Sequence, residues 1–308
     1  MLIQEVTVDI SVVNVHLDLG GVRRGTDMGP SAMHVAGLVP ALHAIGHHVV
    51  DVHSIEVRSF EAAVPGSPNA RFLPQIRDCV AEIADRVHHA LLRGRFPLVL
   101  GGDHAQAIGT LAGLARYLRP RNERLGVVWV DAHTDMNTPD TSPSGNIHGM
   151  PLAVLLGYGA PELLDVCGGE PVLRPEDVAV IGARDVDATE APLVKQLGVR
   201  VYTMSELDAR GTSACLQEAF ERTTAGTSGV HLSFDLDGVD PHDAPGVGTP
   251  VPGGLTLRES LLVCEAAHKT GALRGMEMVE LNPTLDERNK TGQLAVWLIV
   301  SALGKMIL

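Results

Sequence analysis

No stretch of the 308 residues stays apolar over the ~18 positions that a membrane-spanning helix needs. The amino-terminal MLIQEVTVDI alternates polar and apolar residues and lacks the profile of a secretory signal. Both absences point to a soluble, cytoplasmic protein with no membrane partner. Positive charge is scarce: 24 Lys and Arg face 37 Asp and Glu, a net charge of −13. A nucleic-acid partner would need a basic surface, so that class is excluded. An acidic field favours cationic ligands instead, either metals or a positively charged substrate. Cysteine is limited to Cys79, Cys167, Cys215 and Cys264, widely spaced and with no CxxC pair. They read as free, buried thiols of a reducing compartment. Aromatic residues make up only 3%, so the core must be built from Val, Leu, Ile and Ala. There is no internal repeat and no low-complexity tract.

What is present is an alternation of short apolar runs with helical patterns. Strands are expected at Val6–Val15, His48–Val52, Pro97–Leu100, Gly126–Val130, Val178–Ile181, Arg200–Tyr202, Val230–Phe234 and Gly275–Val279. Several are rich in Val and flanked by Gly or Asp, the mark of strands buried on both faces of a parallel sheet. Between them lie helical segments at about Ser31–Ile45, Arg71–Leu92 and Thr291–Met306. The second carries Phe72, Ile76, Val80, Ile83, Val87 and Leu91 on one stripe. Segment Ala62–Asn69 reads as a loop, too short to separate domains. The expectation is one α/β domain over residues 1–308. It is a three-layer α-β-α arrangement with a doubly wound, mainly parallel, eight-stranded sheet. In such sheets the ligand site lies beyond the carboxyl ends of the strands.

Three of those strand ends finish in Asp and His. PLVLGGDH supplies Asp103 and His104. GVVWVDAHTD supplies Asp131, His133 and Asp135. HLSFDLDGVD supplies Asp235, Asp237 and Asp240. Side chains two apart in an extended strand point the same way, so Asp131, His133 and Asp135 converge, as do Asp235 and Asp237. With His104 they offer four carboxylates and two imidazoles. One such pair at a strand end is usually a cap or a solvated loop. Three clusters after buried strands form a site. Without metal, the carboxylates would repel one another and titrate high. Two divalent cations balance them, and an oxygen-rich set without thiolate favours Mn²⁺. Two ions ~3.5–4 Å apart share a bridging water and turn it into a hydroxide nucleophile near neutral pH.

Polar groups flank this cluster. The loop MNTPDTSPSGNIHGMPL offers Asn137, Ser144 and Asn146 to grip a polar substrate and His148 to shuttle protons. Asp185, Asp187 and Glu190, in GARDVDATE, suit an ammonium group. Glu280, after the strand MEMVE, suits a guanidinium held in bidentate fashion.

Taken together, GGDHAQAIGT, DAHTDMNTPDTSPSGNIHGMPL, GARDVD, SFDLDGVDPHDAPGVGTPVPGGLTLRE and VELNPTLDERNKTG resemble the arginases of the ureohydrolase family, bacterial members above all. The resemblance spans nearly the whole chain. It implies an arginase-like fold and a homo-oligomer, trimer or hexamer. It implies two Mn²⁺ per subunit, held by His104, Asp131, His133, Asp135, Asp235 and Asp237. It implies hydrolysis of L-arginine to L-ornithine and urea, by attack of a metal-bridging hydroxide on the guanidinium carbon. Asp135 then orients the hydroxide, His148 transfers a proton, and Glu280 orients the guanidinium. Asn137 and Ser144, with Asn146 nearby, match contacts to the substrate α-carboxylate. Asp187, with Asp185 and Glu190 beside it, matches the α-amino contact, and Thr249 lines the site. Two departures, Ala105-Gln106 and Ala188-Thr189, avoid the ligand positions. The alternatives are another guanidino substrate (agmatine, guanidinobutyrate or a guanidino acid), a single-zinc amide hydrolase, and a non-catalytic relative. The SPSGNIHG loop favours an amino-acid substrate.

Overall fold

A computed structural model describes residues 7–305. Eight strands form one sheet: β1 (Asp9–His16), β2 (His48–Glu56), β3 (Phe96–Leu100), β4 (Gly126–Val130), β5 (Val178–Ala183), β6 (Arg200–Thr203), β7 (Val230–Asp235) and β8 (Leu273–Val279). Their order across the sheet is β2-β1-β3-β8-β7-β4-β5-β6, and every neighbouring pair is parallel. All eight expected strands are present. The predicted start of the first, Val6, lies outside the described residues.

Every residue of β3, β4, β5 and β7 is buried. That explains their unbroken apolar runs: both faces are covered. On one face pack α3 (Leu73–Leu92), α4 (Ala107–Leu118), α5 (Pro151–Leu155) and α6 (Pro161–Val166). On the other pack α1 (Gly29–Val35), α2 (Leu38–Ala44), α9 (Thr212–Thr224), α10 (Leu257–Lys269) and α11 (Lys290–Ala302). Two short helices, α7 (Ala191–Leu197) and α8 (Met204–Arg210), flank β6. Strand β1 shows the alternation, with Ile10 and Val12 in one core and Val13 and Val15 in the other. Helix α3 lies so close to α4 that a Cβ on Gly109 would sit 2.4 Å from the Val80 carbonyl oxygen.

Two segments differ from expectation. The single helix expected over 31–45 is two helices, because Gly37 adopts φ 90 between α1 and α2. The apolar spacing survives the break, since Met33, Leu38 and Leu42 are all buried on the same core. Within 62–69 a short hairpin, Gly66–Ser67 against Ala70–Arg71, replaces plain loop. The carboxyl-terminal helix ends at Ala302, and Met306 lies outside the described residues. No helix among the described residues is long and apolar enough to cross a membrane. The four cysteines are free and buried.

Candidate metal centre and substrate pocket

Strands β3, β8, β7 and β4 are consecutive across the sheet. Their carboxyl ends deliver His104, Glu280, the pair Asp235 and Asp237, and the trio Asp131, His133 and Asp135. The His104 Nδ1 atom lies 3.1 Å from Asp131 Oδ2, 3.0 Å from Asp135 Oδ2 and 3.1 Å from Asp235 Oδ2. The His133 Nδ1 atom lies 3.2 Å from Asp131 Oδ1 and 3.4 Å from Asp237 Oδ2. Two ligand groups result, His104/Asp131/Asp135 and Asp131/His133/Asp237, sharing Asp131. The sixth expected ligand, Asp235, joins the first group through His104.

Short-range backbone contacts aim these groups. Asp131 Oδ1 accepts from the His133 N–H at 2.7 Å, and Asp235 Oδ1 accepts from the Asp237 N–H at 2.8 Å. Asp237 Oδ1 accepts from the Ala132 N–H at 3.2 Å, tying the β7 loop to the β4 loop. The hydroxyl of Thr249 donates to Asp237 Oδ2 at 2.7 Å, and the Trp129 indole donates to Asp131 Oδ2 at 2.9 Å. Asp135 and Glu280 hold positive φ, 51 and 63. For a residue with a Cβ this costs about 1 kcal/mol or more, a form of strain that gathers at functional sites. The Asp135 carbonyl accepts from Leu152 N and Ala153 N at the start of α5, which holds the strained turn in place.

The electrostatics suit a bound cation. Burial and the charge of Asp131 push the Asp135 carboxyl up to about 7. Burial, Asp237 and Asp131 push Asp235 well above the carboxylate range. For Asp131 burial acts upward, but bonds from His104 and His133 outweigh it and hold the group well below that range. Burial lowers the affinity of His104 for a proton, yet the three carboxylates around it more than reverse this. Carboxylates buried this close together repel one another when ionised, and added positive charge relieves that repulsion. The buried His104 Nδ1 and Asp135 Oδ2 also lack hydrogen-bond partners. Both atoms face the middle of the cluster, so nitrogen and oxygen donors without thiolate form a fitting cradle for a divalent metal.

A cavity of about 190 Å³ opens over this cluster. Of the residues expected from sequence, all but Asp131 and Glu280 line it. Asp131 and Glu280 adjoin it through His104, which contacts both. Asn137 donates to Asp187 Oδ2 at 2.9 Å, which links the β4 loop to the β5 loop on the cavity wall. Glu190 lines the cavity, yet its oxygens accept from Met136 N at 2.9 Å and Asp187 N at 3.0 Å. It therefore fixes the two wall loops to each other. Asn146 accepts from the Arg71 guanidinium at 3.4 Å, and Arg71 N donates to the Gly145 carbonyl at 2.9 Å. The hairpin thus holds the Ser142–Asn146 loop. Asp185 and exposed Ser144 complete the rim.

Four features depart from expectation. Ser142 also lines the cavity, and its Oγ lies 3.4 Å from that of Ser144. Arg71 and its hairpin, a helix start and a loop by sequence pattern, hold the cavity rim. Asp103, named only as a strand-end residue, is fully buried and caps its own turn, accepting from Ala105 N and Gly20 N. Asp240, from the same motif as Asp235, lies outside the cluster and binds the N–H groups of His242, Gly253 and Gly254.

His148 reaches Glu280, with Nδ1 3.0 Å from Oε1. Burial alone would lower the histidine pKa, but the Glu280 carboxylate raises it to about 9. The same contact holds Glu280 below its ordinary value, against burial. This pair stabilises the fold fully below about 6.5, the unfolded value for histidine. The contribution is lost as pH rises through about 9. In chelator-treated protein, histidine NMR should show His148 titrating near 9, and Glu280→Gln should bring it down toward the ordinary range. A wild-type His148 that titrates near 6.5 would show that the pair does not form.

The geometry has counterparts in known proteins. The arginase family model matches residues 8–304. An arginase of Bacillus caldovelox is 47% identical over 300 residues, covering 97% of this chain and 99% of the relative. An arginase of Bacillus subtilis (strain 168) is 46% identical, with coverage of 97% and 99%. A solved structure of arginase from Bacillus caldovelox superposes with a TM-score of 0.93 at 46% identity, covering 98% of this chain and all of the other. Sequence, fold and the Asp/His cluster agree that this chain belongs to the arginase family of hydrolases.

Proposed function

We propose that the chain hydrolyses L-arginine to L-ornithine and urea, with two Mn²⁺ ions held by His104, Asp131, His133, Asp135, Asp235 and Asp237. The observation that carries this is the pair of ligand groups joined at the buried Asp131. Bound there, the ions would supply Lewis acidity and lower the pKa of water toward neutrality. The residues do the rest. Asp135, whose Oδ2 atom faces the middle of the cluster, orients the attacking water by hydrogen bond. Glu280 spends Oε1 on His104 N and on His148, leaving Oε2 for one N–H of the guanidinium. The guanidinium carbon is thereby turned toward the cluster, a positioning effect. A bond forms from water oxygen to that carbon, and the carbon–nitrogen bond to the ornithine side chain breaks. His148 gives the departing nitrogen its proton.

Asn137 and Ser144, with Asn146 behind them, receive the α-carboxylate. Asp187, set by Asn137 and Glu190 and with Asp185 beside it, receives the α-amino group. Thr249 holds Asp237 and closes the remaining side. Four buried thiols without disulfides suit a reducing cytoplasm, and a homo-oligomer, trimer or hexamer, is the assembly we expect.

The test is urea release by manganese-loaded protein from arginine, agmatine and guanidinobutyrate. Arginine should be preferred; equal turnover of agmatine would overturn the substrate assignment. Asp187→Ala should cut kcat/KM for arginine by roughly 30–100-fold, the worth of a charge-assisted bond of about 2–3 kcal/mol. Guanidinobutyrate has no amine, so its weaker turnover should be unchanged by the substitution. Equal losses on both would remove the α-amino role from Asp187.

A further inference from the structure

Beneath the ligand cluster lies a second polar layer. Glu277 on β8 is fully buried, and so are His231, Ser233, Gln106 and Thr110 around it. The Ser233 hydroxyl donates to Glu277 Oε1 at 2.9 Å. Thr110 donates to Oε2 at 2.8 Å and the Gln106 amide donates to the same oxygen at 3.3 Å. The His231 Nε2 atom lies 3.5 Å from Oε1. Among the described residues no lysine or arginine pairs with this carboxylate. An apolar side chain of similar size would fill the space at less cost in desolvation, so stability alone does not account for the group.

Donor counting shows what it does. A carboxylate only accepts, and a serine hydroxyl has one proton. Ser233 gives that proton to Glu277. Its oxygen must then accept from the His104 Nε2 atom, 2.9 Å away. In the singly protonated ring that binds metal, this places the proton of His104 on Nε2 and turns the Nδ1 lone pair toward Asp131, Asp135 and Asp235. The Trp129 ring stacks on the imidazole with centroids 4.1 Å apart and planes 15° from parallel, which fixes the ring plane but not the tautomer.

We propose that Glu277 is a positioning residue for the metal centre, acting through the Ser233 hydroxyl to make His104 Nδ1 the ligand atom. The inference rests on the reading of His104 as a metal ligand. It predicts a defined failure for Glu277→Gln. A glutamine amide can donate to Ser233, which frees the serine proton for His104 Nε2 and moves the ring proton to Nδ1, facing the carboxylates. When metal occupies Nδ1 the one remaining ring proton must sit on Nε2, where in the variant it meets the serine proton instead of a lone pair, so the metal-bound form loses that hydrogen bond and affinity falls.

The experiment titrates Mn²⁺ into chelator-treated wild type, Glu277→Gln, Ser233→Ala and the double variant, reading bound manganese directly and the metal-free melting temperature alongside. Each single variant should weaken manganese binding by roughly 10–100-fold, the usual effect of losing an outer-shell partner. The double variant should be no weaker than the worse single one, because both cut the same chain of bonds. If Glu277→Gln does not fold, Ser233→Ala decides alone. Wild-type affinity in a folded single variant, or losses that simply add, would overturn the proposal. A wild-type chain that binds no manganese would overturn the metal reading and this inference with it.

Discussion

An Asp235→Asn variant should release no measurable urea from arginine and hold no tightly bound manganese, while its metal-free form melts no lower than the parent. The two halves of that result have separate causes. Asp235 Oδ1 accepts from the Asp237 N–H at 2.8 Å, a bond an asparagine oxygen keeps. The other oxygen faces His104 Nδ1 at 3.1 Å and belongs to the cluster. An amide nitrogen there removes a negative charge and a lone pair together. We expect kcat/KM to fall by at least about three orders of magnitude, or ~4 kcal/mol of transition-state stabilisation. The metal-free fold loses nothing comparable. Burial and its carboxylate neighbours hold the Asp235 carboxyl well above the ordinary value of 3.8. An acid raised in this way favours the folded state least when ionised. Its penalty grows as pH climbs from the unfolded pKa to the folded one and is complete above that. Asparagine carries no such penalty. Metal analysis, urea assay and a melt after chelation check all three points. Full activity with full metal content would remove Asp235 from the ligand set.

Gly145→Ala should damage arginine use by a smaller but still large factor while leaving the metal content intact. Gly145 has φ 69, and a Cβ there would sit 1.8 Å from the Pro68 carbonyl oxygen. The backbone conformation alone costs an alanine about 1 kcal/mol. The overlap is backbone against β-carbon, so no side chain can rotate away. Either the hairpin or the Ser142–Asn146 loop must shift, and the loop carries the proposed carboxylate contacts. A displacement near 1 Å costs on the order of 100-fold in kcat/KM. Most of it should appear as a raised KM for arginine. Steady-state kinetics with parallel metal analysis will show this, and an unchanged KM would mean that the loop does not grip the substrate.

The fold was legible where sequence pattern and burial coincide. Valine-rich runs such as GVVWV and VAVIGA are covered on both faces, so their lack of alternation itself marked a parallel sheet. The ligand cluster was legible for a related reason: strand ends in this architecture open onto one edge, and alternate residues share a side. What stayed hidden depends on distant contacts. Gly37 splits a helix whose apolar spacing runs on undisturbed, so periodicity gave no sign of the break. Glu190 stood out as an acid near the pocket, but its turn toward two backbone N–H groups follows from how the wall loops fold together. Arg71 looked like the first residue of a helix, and its grip on Asn146 spans 75 positions. Glu277 looked like any polar residue of a strand. Only the packing of Ser233 and Thr110 against it reveals a buried carboxylate.

The four strands that carry the cluster come from opposite halves of the chain. His104 and the Asp131 trio belong to the first half, and the Asp235 pair to the second. Ions held among them would act as a further cross-link between segments that already meet through hydrogen bonds, apolar packing and the His148–Glu280 pair. Unravelling either half would dismantle the coordination sphere, so global unfolding would release the metal. Free manganese above its dissociation constant would then raise the melting temperature by mass action.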